Sequence, residues 1–296
     1  MRIGSHLSIA QGLPKAALMA ERIGANTFQF FTRNPRGGRA RHIGREEIEE
    51  WNRERRRLDI YPVVGHLPYT VNLAAPPGKL QDFAAMVVRE DLVRGADIGA
   101  EYIVSHPGRH KGDREQALNR LAQIIRRGLE ETPEVKTMFL LETMAGQQGE
   151  IGSLEDLRCI LDLLDWSPQV GICLDSAHLF AAGWNLKTTP GCDDLVAALE
   201  EKIGLDRVKI LHLNDSLAPL GSRRDRHACI GQGELGDEGI GAIINHPFLG
   251  ELPMLLETTV ERYEDYGEEI ARVKELRIIR GTAEPCNRAE SVLPSK

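Results

Sequence analysis

Short β-rich apolar runs alternate along this chain with longer stretches whose apolar positions recur every three or four residues. Eight runs read as strands: 2–4, 27–31, 61–65, 102–105, 137–141, 170–174, 208–211 and 253–256. Between them, 14–23 carries apolar residues at 16, 17, 20 and 23, and 80–98 and 115–129 repeat the helical pattern. Ser153, followed by Leu154, Glu155 and Asp156, reads as an N-cap with acids in the first turn, opening a helix over 154–164. Alternating strands and helices predict parallel strands covered by helices. Eight such units imply closure into a single-domain α/β fold, a (β/α)8 TIM barrel over residues 1–280. The stretch 281–296 has no periodicity and is expected to be a loosely held tail. An open doubly wound sheet is the alternative, but its G-x-G-x-x-G fingerprint is missing near the first turn.

Composition narrows the class. The chain has 296 residues, enough for one barrel of ~250 residues without disulfide staples. With 42% apolar and 27% charged residues it is not a wholly disordered chain. No window approaches the ~18 apolar residues of a membrane span. The start, MRIGSHLSIAQG, lacks the ~7–15-residue apolar stretch of a secretory signal. Five scattered cysteines (159, 173, 192, 229 and 286) form no C-x-x-C. Together these features predict a cytoplasmic protein with neither a disulfide framework nor a thiolate zinc site. A net charge of −7 speaks against chain-wide attraction to nucleic acid. Locally, however, Arg33, Arg36, Arg39, Arg41 and Arg45 fall within thirteen residues that contain no acid. That run reads either as a solvated face or as a loop that tracks phosphates.

The strand ends carry the candidate chemistry. Strands three to eight run into His66, His106, Glu142, Asp175, His212 and Glu257, at intervals of 33 to 45 residues. Each interval is the length of one strand–helix unit, so six consecutive units put a metal-ligand residue type at the same point of the repeat. In a barrel those points share the C-terminal face, where active sites sit. Asp175-x-x-His178 and Asp225-x-His227 add to them. Any one of these residues has an ordinary reading, as a hydrogen-bonded histidine or an N-capping carboxylate. The coincidence across six units is what points to a metal site. Five imidazoles and four carboxylates without thiolate suit zinc, manganese or iron, and nine ligands exceed what one ion needs. Three ions sharing carboxylates would use them, and paired ions suit attack on an anionic phosphodiester. His42, His110 and His246 read as loop or surface residues, and Cys229 as packing. His6 reads equally as a partner of the site or as a bystander. Gly231-Gln232-Gly233 and Gly236 read as tight turns before a helix, with a phosphate-contacting loop as the alternative.

Eight motifs carry a family resemblance: GSHLS, FFTRNPR, HLPYTVNLA, SHPGRH, LLETMAGQ, GICLDSAHLFAAGWNL, LHLNDSLAPLGSRRDRHACIGQGELG and LLET. Over about residues 1–280 the chain resembles endonuclease IV, the zinc-dependent apurinic/apyrimidinic endonuclease family of base-excision repair (AP endonuclease family 2). The resemblance implies three zinc ions, with manganese or iron as occupants of some positions. His66, His106 and Glu142 would hold the first. Glu142, Asp175, His212 and Glu257 would hold the second, and His178, Asp225 and His227 the third. Glu142 and Glu257 carry over as catalytic residues, Arg36 and Tyr69 as DNA contacts. The implied reaction is hydrolysis 5′ to abasic sites in double-stranded DNA, leaving a 3′-hydroxyl and a 5′-deoxyribose phosphate. Clearance of blocked 3′ ends and a monomeric state come with it. Three departures bear on the DNA grip: Thr70 stands where an apolar wedge is usual, Gln11 replaces a glycine, and Gly37–Gly38 follows Arg36. A single-ion sugar isomerase or epimerase would use Glu142, Asp175, His212 and Glu257 but leave the other ligands idle. A damage-sensing module without activity would require broken catalytic positions, and none is visible.

Overall fold

The computed structural model of the protein describes residues 1–35 and 39–277. Arg36, Gly37, Gly38 and the stretch 281–296 lie outside the described residues.

The eight strands are β1 (Ile3–His6), β2 (Thr27–Phe31), β3 (Val63–His66), β4 (Tyr102–Ser105), β5 (Met138–Glu142), β6 (Val170–Asp175), β7 (Val208–His212) and β8 (Met254–Leu256). Each pairs in parallel with its neighbours in chain order, and β8 closes on β1 through Ile3 opposite Met254. The result is a closed eight-stranded parallel barrel covered by helices, a TIM barrel. Several strands run one residue beyond the apolar stretch that marks them in the sequence. The ladder continues through Phe31 opposite His66, Glu142 opposite Cys173 and Asp175 opposite His212. Polar residues therefore occupy the last rungs of the sheet.

The helices are α1 (Leu13–Arg22), α2 (Arg45–Arg57), α3 (Lys79–Ile98), α4 (Arg114–Glu130), α5 (Leu154–Leu163), α6 (Ser176–Ala182), α7 (Thr189–Lys202), α8 (Gly236–Asn245) and α9 (Tyr266–Leu276). α5 starts where the sequence pattern places it. The Ser153 hydroxyl accepts from the Asp156 N–H at 3.2 Å, and the Asp156 carboxylate accepts from the Ser153 N–H at 3.1 Å, closing a capping box. α4 buries Ala117, Leu118, Leu121, Ala122, Ile125 and Leu129 along one stripe. No helix among the described residues is long and apolar enough to cross a membrane.

α2 has almost no apolar stripe, and Trp51 is its one fully packed side chain. The indole N–H donates to Ile98 O at 2.9 Å, and the ring meets Phe28 edge-on at 5.6 Å. Trp51 is thus the main apolar anchor of an otherwise polar helix, with Ile48 packed beside the core and Glu47 and Arg55 bonded to other elements. Trp51→Ala is expected to cost ~3–5 kcal/mol of stability. Denaturant unfolding measures it, and a change of less than ~1 kcal/mol would show that α2 is held by other means.

Candidate metal centre

The site follows from the two-residue period of strands. Inside the barrel, Val64, Val104, Leu140, Cys173, Ile210 and Leu255 form an apolar cluster separate from the core beneath the helices. Two residues further along each chain segment, the side chain returns to the same side. Those positions are His66, His106, Glu142, Asp175, His212 and Glu257. An apolar floor therefore lies directly under a polar ring. A neighbouring constraint appears at Gly4, where a Cβ would lie 1.8 Å from Thr27 O. Only glycine lets β1 and β2 approach this closely.

Six strand ends, the first turn of α6 and the segment after β7 thus bring the nine sequence-derived ligand residues together. His66 Nε2 and His106 Nε2 stand 3.2 and 3.4 Å from Glu142 Oε2. On the other oxygen of that carboxylate, His212 Nδ1 lies 3.4 Å from Oε1 and 3.0 Å from Glu257 Oε2. His178 Nε2 and His227 Nε2 face Asp225 Oδ1 at 3.2 and 3.4 Å. The ligand atoms fall into three groups, each within 4.8 Å: His66, His106 and Glu142; Glu142, Asp175, His212 and Glu257; Asp175, His178 and His227. Glu142 is common to two groups and Asp175 to two. A cleft of about 530 Å³ opens above them.

The donor set fits metal ions. Glu142 Oε1, His178 Nε2, His212 Nδ1 and His227 Nε2 are buried atoms without hydrogen-bond partners. Buried polar atoms are rarely left so, and these four share one space. The opposite ring nitrogens are all engaged. Nδ1 of His66 meets Leu67 O at 2.6 Å, Nδ1 of His178 meets Thr143 O at 2.9 Å, and Nδ1 of His227 meets Glu257 O at 3.2 Å. A carbonyl only accepts, so each Nδ1 carries the hydrogen and each Nε2 turns a lone pair to the centre.

Comparison with known proteins now decides the family. A family model described as a xylose isomerase-like TIM barrel matches residues 18–276. A "probable endonuclease 4" from Moorella thermoacetica is 58% identical over 94% of this chain and all of its own length. One from Heliobacterium modesticaldum is 44% identical over 92% of this chain and 97% of its own. The crystal structure of endonuclease IV from Thermus thermophilus superposes with a TM-score of 0.82 at 29% identity, covering 93% of this chain and 98% of that one. This chain belongs to the endonuclease IV family. An L-ribulose 3-epimerase, with a TM-score of 0.63 at 13% identity, shares the fold alone.

In this endonuclease IV family member, residues outside the sequence-derived set hold the centre in place. Asp175 both caps a helix and faces the centre: its Oδ1 accepts from the His178 N–H at 2.8 Å, while Oδ2 accepts from Asn214 Nδ2 at 2.7 Å. Asn214 Oδ1 accepts from the Glu257 N–H at 2.8 Å, so one buried amide ties β7 to β8. Thr143 Oγ1 accepts from the Asp175 N–H at 2.9 Å. Gln29 reaches both His212 and Glu257. Their only sequence signal is a polar residue in or beside an apolar strand. His6 does join the site, with Nδ1 3.6 Å from Glu257 Oε1, and burial holds its pKa below the usual histidine value.

The other candidates divide. His42 is exposed, and His110 makes a local bond from Nδ1 to Gly112 O at 2.7 Å. His246 is buried instead of lying on the surface: Nε2 meets Asp193 at 3.1 Å and Nδ1 accepts from the Phe248 N–H at 3.1 Å. The Gly231–Gly236 segment is a turn wrapped on a carboxylate of the protein itself. Gly233, Leu235 and Gly236 donate their N–H groups to buried Asp215 at 2.9, 2.9 and 3.1 Å. A Cβ at Gly233 would stand 2.5 Å from that carboxylate.

The basic run also changes meaning. Arg33 is buried against Asp91, with a closest approach of 2.6 Å, and also meets Glu90 at 3.2 Å. Arg41 pairs with Glu47 at 2.5 Å, and Arg45 with Glu49 at 2.8 Å. Acids from α2 and α3 thus engage three of the five arginines. Arg36 lies outside the described residues. Tyr69 stands 56% exposed on the cleft wall, edge-on to Phe31 at 6.3 Å. The Thr70 hydroxyl donates to Pro35 O at 3.2 Å, tying two rim loops together.

Electrostatically, the ion-free site balances carboxylates against protons. Burial opposes ionisation of Glu142, but His212, His106 and His178 around it hold its pKa well below the usual carboxylate range. Asp225, likewise against the effect of burial, is held at about 2 by His178. Burial works against charge on His178 and His212 too, yet Asp175, Asp225 and Glu142 raise His178, and Cys173 with Glu257 and Glu142 raises His212, well above the usual histidine value. Both shifts favour a proton on the same atoms that a divalent ion would take. Zinc binding is expected to release protons and to tighten as pH rises through neutrality. Calorimetric titration in buffers of different ionisation enthalpy reads this directly, and a heat independent of buffer would contradict it.

Proposed function

We propose that this protein is a DNA-repair endodeoxyribonuclease of the endonuclease IV type, working with three zinc ions. On this reading it hydrolyses the phosphodiester 5′ to abasic sites in double-stranded DNA, leaving a 3′-hydroxyl and a 5′-deoxyribose phosphate, and also clears blocked 3′ ends. The convergence of five imidazoles and three carboxylates in three overlapping groups, with Asp225 set against His178 and His227 beside the third, is the observation that carries it. Family membership supports the substrate class, through relatives described as endonucleases. Zinc suits this nitrogen and oxygen set, and manganese and iron accept the same donors.

Divalent ions held here would supply a water of lowered pKa and positive charge opposite the leaving oxygen. The chain's own part is positioning. Glu142 offers one oxygen to His66 and His106 and the other toward His212 and His178, so one carboxylate sets the spacing between two ion positions. Glu257, on the rim of the cleft, would complete the second position with Asp175 and His212. His178, Asp225 and His227 would hold the third. Phe31, Tyr69 and Tyr263 line the cleft and offer apolar surface to a sugar that lacks its base. An abasic nucleotide is the least costly to extrude, because it has no pairing or stacking to lose. Arg36 and Tyr69 are assigned to the DNA contacts that hold it there. The protein would act as a cytoplasmic monomer.

A duplex with a single tetrahydrofuran abasic analogue tests the reading. The zinc-loaded protein is expected to cut once, 5′ to the analogue, and chelation should abolish cutting. Glu142→Ala should lose more than the ~10–100-fold that changes outside a metal's direct ligands cost. Undiminished cutting by that variant would overturn the assignment. One ion per chain by elemental analysis, with no cutting, would favour a sugar isomerase or epimerase, which needs only the group that includes Glu257.

A further inference from the structure

The inward face of β2 carries Gln29, a fully buried amide among the three phenylalanines of the strand TFQFF. It lies opposite Val64 in the ladder, one layer below the ring of candidate ligands. Its carbonyl oxygen Oε1 is 2.9 Å from His212 Nε2. Its Nε2 donates to Glu257 Oε1 at 2.5 Å and stands 3.2 Å from His6 Nδ1. The amide can sit only one way round. A carboxylate only accepts, so the NH2 end must face Glu257 and the oxygen must face His212. The imidazole nitrogen facing an amide oxygen must carry a hydrogen. His212 Nδ1 then turns its lone pair toward Glu142, Asp175 and Glu257. The same amide occupies Glu257 Oε1, leaving Oε2 as the oxygen 3.0 Å from His212 Nδ1. His6 Nδ1, within reach of the second amide hydrogen, keeps the group from rotating.

We propose that Gln29 is the positioning residue of the second ion site: one side-chain amide sets the tautomer of His212 and the rotamer of Glu257 together. Three other histidines that turn Nε2 to the centre, His66, His178 and His227, meet backbone carbonyls through Nδ1. His212 is turned the other way round, with Nδ1 inward, and Gln29 supplies the acceptor that a carbonyl supplies elsewhere. Partners outside the direct ligand set commonly change metal affinity ~10–100-fold. The proposal rests on the reading of this centre as a multi-ion site.

The zinc-loaded protein and its Gln29→Met and Gln29→Glu variants are challenged with a chromophoric chelator, and ion release is followed with time. Gln29→Met, which matches the shape but removes both bonds, is expected to bind one ion of the set ~10–100-fold more weakly while the rest leave at the wild-type rate. The visible spectrum of the cobalt-substituted variant should change with it. Gln29→Glu keeps the acceptor for His212 but places a carboxylate against Glu257, and should fall between the two. Circular dichroism of the ion-free proteins separates this from misfolding, since equal melting temperatures are expected. Wild-type release and an unchanged cobalt spectrum in both variants would overturn the proposal. So would equal weakening of every ion, which would indicate general loosening. A wild-type protein that binds no divalent ion would instead overturn the metal reading beneath it.

Discussion

Glu142, Asp175, Asp225 and Glu257 bring four carboxylates into one cleft, and Glu142 and Asp175 have no exposed surface at all. Removing such a charge from water costs several kcal/mol unless positive charge and hydrogen bonds compensate it. Here the compensation comes from imidazoles set directly against them. His178 and His212, both pushed toward the protonated form, supply part of it. A divalent cation placed among the same atoms supplies more charge and releases those protons. The repulsion that would destabilise an ordinary core thus becomes affinity for cations. The four unpartnered buried atoms are the local sign of this unfinished balance.

A barrel meets this demand because it supplies rigid acceptors at its rim. Where strands end, carbonyls of Leu67, Thr143 and Glu257 lie beside the cleft and take the hydrogens of three imidazoles. Side-chain amides fill the remaining places, with Asn214 bracing Asp175 and Glu257, and Gln29 joining His212 to Glu257. The ring is therefore oriented by groups that do not titrate. Beneath it, six small or medium apolar side chains close the bore and keep water from entering from below.

Charge close in sequence proved a poor guide to charge close in space. The thirteen residues from Arg33 contain no acid, yet α2 and α3 return Glu47, Glu49, Glu90 and Asp91 to that loop. Arg33 in particular serves as a buried tie between β2 and α3. A buried guanidinium with a bidentate carboxylate partner fixes the loop's base in one geometry. The turn at Gly231–Gly236 follows the same logic, because its amides are already spent on Asp215.

By itself the sequence determined the repeat and its phase. Eight β-rich runs, the Ser153 cap and the stripes of α3, α4 and α5 are local signals, set by side-chain period and hydrogen-bonding type, and all appear in the fold. Because strands alternate faces, that same phase put His66, His106, Glu142, Asp175, His212 and Glu257 at equivalent points. α2 left no such signal, since Trp51 is its one fully buried side chain and the rest of its hold comes from polar contacts such as Glu47 to Leu13 and Arg55 to Glu101. Only the tertiary structure decided which nitrogen of each imidazole faces inward, that Asp175 serves a helix and the cleft at once, and that Gln29 and His6 belong to the centre. It also decided that His246 is buried. Those outcomes depend on which donors and acceptors meet across barrel strands far apart in the chain, and a one-dimensional pattern carries no record of such encounters.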